Sequence, residues 1–65
     1  MPRETVEFED VECLVDSGEA ILVLIDGEKH WIPQSQVDED SEVWRKGDVG
    51  SLIITEWIAE KKGLI

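Results

Sequence analysis

The dipeptide Asp26-Gly27 constrains this chain more than any other feature of its sequence. It sits between an unbroken apolar run, Ala20 to Ile25, and a second β-prone stretch, Glu28 to Ile32. Asp-Gly supplies the positive φ angles of a tight type I′ turn, so these two stretches are expected to run antiparallel as a hairpin. The run Ala20 to Ile25 does not alternate with polar residues, as expected of a strand covered on both sides or seated in an interface.

The flanking sequence extends the β pattern. From Thr5 to Val15 apolar residues alternate with acids, but the phase slips: Val6 and Phe8 have one parity, and Val11, Cys13 and Val15 the other. A bulge near Glu9 and Asp10 would keep all five on the core side. Asp16-Ser17-Gly18 reads as a turn. Pro33 lacks a donor and ends its strand, and Gln34-Ser35-Gln36 reads as a short helical turn. Val43 and Trp44 are expected to begin another strand, turned by Lys46-Gly47-Asp48 into Val49 to Ile54 as a second hairpin. Thr55 is placed to cap a last helix, Glu56 to Lys62, with an acid first, lysines last and Gly63 as the stop. These elements predict a mainly β fold, a small, partly open antiparallel barrel of four to five strands of the SH3-like or OB-like kind with a short C-terminal helix. Residues 1–65 read as a single domain, with residues 1–4 loose.

A chain of 65 residues buries only about 60% of its unfolded surface, and so small a core rarely supplies more than about 3 to 5 kcal/mol. With one cysteine and one histidine, neither an intramolecular disulfide nor a Cys/His zinc cage is possible, which leaves homo-oligomerisation as the expected staple. The sequence shows no signal-peptide pattern, and Ala20 to Ile25 is too short to cross a bilayer. The chain is therefore read as the whole mature protein, away from membranes, and its free thiol points to the cytoplasm.

Net charge is −10, and residues 1–42 carry thirteen acids against two bases. That field repels nucleic acid and anionic lipid, so direct nucleic-acid binding is not expected. The same acidity, including Asp38, Glu39, Asp40 and Glu42, suits a basic protein partner, though it also serves solubility alone. The run from Asp38 superficially resembles a calcium loop. It has Val43 where glycine is needed and Val49 where the bidentate Glu belongs, so no metal site is expected. Cys13 reads as a buried apolar filler and His30 as a non-catalytic histidine. No phosphate-cradling loop is present, so no cofactor and no enzymatic activity are expected.

The three tryptophans stand out in a chain without tyrosine. Trp57, beside Ile58, is expected to dock the helix on the barrel. Trp31 and Trp44 lie near Lys29, His30, Arg45 and Lys46, and an aromatic platform beside such groups could stack a base and hold a phosphate.

The segments Ala20-Ile21-Leu22-Val23, Ile25-Asp26-Gly27, Trp31-Ile32-Pro33 with Ser35-Gln36, and Glu56-Trp57-Ile58-Ala59-Glu60-Lys61-Lys62-Gly63-Leu64 together resemble small uncharacterised acidic proteins of bacteriophages and mobile elements. The resemblance spans residues 20–64 and brings no catalytic residues. It implies a setting in the host cytoplasm, where such proteins act against defences by occupying a defence protein or by sequestering a nucleotide signal. Three readings follow. In the first, the acidic surface occupies a basic host protein. In the second, an oligomeric sponge takes up a nucleotide-like ligand, and in the third the chain is a structural accessory with no ligand. Candidate ligand or partner contacts are Lys29, His30, Trp31, Ser35, Gln36, Trp44, Arg45 and Lys46.

Overall fold

In the computed structural model, which describes residues 4–65, the Asp-Gly hairpin forms as expected. Asp26 and Gly27 both take positive φ, 50° and 82°, and Ile25 pairs with Glu28 across the turn. The strands are β1 (Thr5–Asp16), β2 (Ala20–Ile25), β3 (Glu28–Pro33) and β4 (Val49–Thr55), followed by the helix α1 (Glu56–Lys61). They make one open antiparallel sheet in the order β3-β2-β1-β4. The fold is mainly β, with four antiparallel strands and a short C-terminal helix.

The parity slip in β1 has the cause the sequence suggests. Its register with β4 shifts between Phe8 and Val11, and Asp10 enters the left-handed region at φ 56°, which turns Val11 and Cys13 into the core. A second irregularity, between Cys13 and Val15 against β2, has no trace in the hydrophobic pattern. It turns Val15 outward, so Val15 is 40% exposed rather than part of the core.

One cluster fills the inner side of the sheet: Val11, Cys13, Ile21, Val23, Ile32, Leu52 and Ile54, covered by Val37, Val43, Ile58 and Ala59. Ile58 and Ala59, rather than Trp57, dock α1. Neighbouring helical positions point about 100° apart, and with those two side chains inward Trp57 is left 55% exposed, with Lys61 Nζ 4.8 Å from its ring centroid. Thr55 caps α1 as expected, its Oγ1 accepting from Ile58 N at 3.3 Å. The looseness expected at residues 1–3 lies outside the described residues, and Glu4 is held, its carbonyl accepting from Glu56 N at 2.9 Å.

Val43 and Trp44 do not form a strand, so the hairpin expected from Val43 to Ile54 is not formed: β4 pairs with β1 instead. Side chains claim the backbone of this segment instead. Asp48 Oδ2 accepts from Trp44 N (3.0 Å) and Arg45 N (2.9 Å), and Ser41 Oγ accepts from Val43 N (3.3 Å). These local bonds compete with a ladder and win. Gly50 leaves room for the segment, since a Cβ there would lie 2.8 Å from Glu42 Oε1.

Candidate functional site

Residues directly opposite each other on neighbouring strands share a face of the sheet, so the register assigns every side chain to the core side or the bare side. Val15, Leu22 and Trp31 form one row across β1, β2 and β3. They lie on the side opposite the buried Ile21 and Val23, because successive strand residues alternate faces. The next row is Lys29, Leu24, Glu12 and Val49, and Ala20 and Pro33 pair beyond Trp31. The helix and the segment 37–43 pack on the core side through Val37, Val43, Ile58 and Ala59, so among the described residues no element covers this outer face. Trp31 is 45% and Val49 65% exposed. The apolar run of β2 thus covers the core with Ile21, Val23 and Ile25 and gives Leu22 and Leu24, both half-buried, to the outer face.

The sequence candidates are not gathered into one platform. His30 pairs with Val23 and faces the core side, whereas Lys29 and Trp31 face outward on the same strand. Trp44 is half-buried against the core, and its indole Nε1–H donates to Ser41 O at 2.7 Å. Arg45 and Lys46 are exposed in the tight turn that Asp48 organises. The two backbone N–H bonds from Trp44 and Arg45, helped by the nearby Arg45 charge, hold the Asp48 carboxyl below its ordinary pKa. Gln36 Oε1 accepts from Thr55 Oγ1 at 2.7 Å, beside an open groove lined by Glu4, Gln36, Thr55, Glu56 and Trp57. At that groove a hydrogen bond between the Glu56 and Glu4 side chains, together with their like charge, raises the Glu56 pKa. Ser35, on the turn before Gln36, is exposed.

Of the acidic candidates, two are built into the fold. Glu42 Oε1 accepts from Ser51 N at 3.0 Å, and Asp38 Oδ1 accepts from Asp40 N at 2.9 Å. Glu39 and Asp40 are exposed. Among the described residues no group of three or more His, Cys, Asp or Glu side chains is arranged to hold a metal ion, and no helix is long and apolar enough to cross a membrane.

Cys13 and His30 share a row of the core side with Val23 between them, two strand spacings, or about 10 Å, apart. Burial pushes the Cys13 thiol pKa up, the opposite of an activated thiolate. The outer-face row Val15–Leu22–Trp31 was missed by sequence reasoning for Val15 and Leu22. The signal for Leu22 lay in the unbroken run of β2, but Val15 depends on the second irregularity of β1. Comparison with protein-family models, curated proteins and solved structures finds no match for this chain.

Proposed function

We propose that this chain is a non-enzymatic binding domain whose outer sheet face docks on a basic surface of another protein. In the setting implied by its resemblance to phage proteins, that partner is a host protein of a defence system. The observation that carries the reading is the bare row Val15–Leu22–Trp31 in a chain of net charge −10. Tryptophan is a favoured anchor at binding hot spots, and Trp31 stands on a rigid strand where little side-chain entropy is lost on docking. Acids supply the electrostatic frame: Glu12 lies in the adjoining row, and Asp16 and Glu19 are exposed at the β1–β2 turn. Such a frame speeds encounter with a cationic surface and excludes anionic ones.

The test is retention of host proteins on the immobilised chain, compared among the wild type, Trp31→Ala, Val15→Asp and Trp57→Ala at low and high salt. A specific basic protein retained by the wild type and by Trp57→Ala, lost with Trp31→Ala and Val15→Asp, and released by salt, supports the reading. Retention indifferent to Trp31, Val15 and salt contradicts it. So does a wild-type chain that retains no protein but carries a bound nucleotide in its native mass spectrum.

A further inference from the structure

The sheet has two edge strands, and among the described residues only one is covered. At β4 the outward backbone groups of Ser51 and Ile53 are all used. Ser51 N donates to Glu42 Oε1 and Ile53 N to Ser41 Oγ, while Ser51 O accepts from Glu42 N and Ile53 O from Asp38 N. At β3 the bond from Gln34 N to Glu19 O, 2.9 Å, fixes the phase of the antiparallel ladder. With that pair bonded, strict alternation makes Ile21–Ile32, Val23–His30 and Ile25–Glu28 the bonded pairs. The N–H and C=O groups of Lys29 and Trp31 therefore point away from β2, along an edge that no described strand pairs with.

We propose that a second copy of this chain pairs antiparallel with β3 along this edge, about a two-fold axis at His30, joining two sheets into one of eight strands. In that register Lys29 and the partner's Trp31 exchange two N–H to C=O bonds, and symmetry repeats the exchange. The Lys29 ammonium lies opposite the partner's indole on the outer face, where cation and ring attract.

The neighbouring registers are worse. One sets Lys29 opposite the partner's Lys29, with like charges opposed. The other sets Lys29 opposite the partner's Pro33, which has no N–H to give. A lysine on an edge ordinarily guards it, but here only one register gives each lysine an indole to face. Charge also selects this place for contact between like chains, since residues 29–37 form the longest stretch free of acids in the first 42 residues. The rest of each copy still repels the other, so salt strengthens the dimer by screening, the reverse of its effect on a basic partner. The inference does not depend on the proposed function, because edge pairing rests on the β3 backbone and, apart from the Lys29 contact with the partner's indole, leaves Val15, Leu22 and Leu24 of the outer face open.

Sedimentation equilibrium over a concentration series, at low and high salt, tests it on the wild type, Lys29→Pro and Trp57→Ala. The expected result is a mass rising to that of a dimer, more readily at high salt. Trp57→Ala should behave as wild type, and Lys29→Pro should raise the dissociation constant by roughly 30-fold, since two of the four inter-copy bonds lose their donor. Hydrogen exchange on the wild type keeps the test independent of how the proline variant folds: Lys29 and Trp31 amides should gain protection as concentration rises. A monomer at every concentration and salt overturns the inference, as does a dimer without protection of those two amides. Failure of Trp31 and Val15 variants to affect host-protein retention overturns only the proposed function.

Discussion

The two edges of the sheet present the same problem and receive opposite treatment. β4 offers the outward backbone groups of Ser51 and Ile53, and the segment Asp38–Glu42 satisfies each of them with backbone N–H groups and the side chains of Ser41 and Glu42. β3 offers the same set from Lys29 and Trp31 with no described strand beside it. A bare edge is a template for another chain, so its exposure is a hazard unless something uses it. The covered edge consumes half of the acidic loop for structure, whereas the bare edge carries the most exposed aromatic residue of the sheet.

The covered edge is where substitution should cost most. Ile54, fully buried beneath it and bridged to Val37, should lose about 2 to 5 kcal/mol as Ile54→Ala, measured by urea unfolding. Ser41 is the hub of the cover. Its Oγ accepts from Val43 N and Ile53 N and donates to Ser51 O, at a residue only 6% exposed. Ser41→Ala should cost about 1 to 3 kcal/mol by stranding buried backbone groups, and stability equal to wild type would mean that the cover is not held this way. Thr55 joins the cover to α1 through Gln36 Oε1 and Ile58 N, so Thr55→Ala should cost about 1 kcal/mol. At the bare edge, Lys29→Pro removes an N–H that the ladder phase directs away from β2, and at high dilution it should change stability by under about 1 kcal/mol.

The titrations differ in sign. Asp48 is held below its ordinary pKa, so its contribution is present above the ordinary Asp value and disappears as pH falls through the lowered one. Glu56 is held above its ordinary pKa by Glu4, so the folded state gains stability as pH falls through that raised value and loses it again above. Acid titration of unfolding should show Asp48→Asn lowering stability at neutral pH, with a smaller acid dependence. Glu4→Gln should raise neutral-pH stability by removing the repulsion.

The same contrast explains what could be read from sequence. The β2–β3 hairpin was legible because Asp26-Gly27 permits one turn, and the first bulge of β1 was legible because parity slips between Phe8 and Val11. The helix was legible from Thr55 and Gly63. Segment 38–48 was not, because Val43 and Trp44 look like strand residues until Ser41 and Asp48 are seen to take their backbone bonds. Trp57 lies outside rather than docking α1 because Ile58 and Ala59 suffice to dock a helix of under two turns. Trp31 stands out in the sequence and lies exposed on the outer face, yet nearness in sequence groups it with Lys29, His30 and Trp44, which the fold does not gather into one platform around it. Its companions in space, Leu22 and Val15, follow from cross-strand register and from an irregularity at Leu14 that leaves the hydrophobic pattern unmarked. Which strand ends at a bare edge depends on strand order, which local sequence does not carry.

Site-resolved hydrogen exchange on the dilute wild-type protein tests this account most directly. The amides of Ser51 and Ile53, on the covered edge, should exchange far more slowly than those of Lys29 and Trp31, on the bare one. Equal protection at both edges under dilution would contradict it.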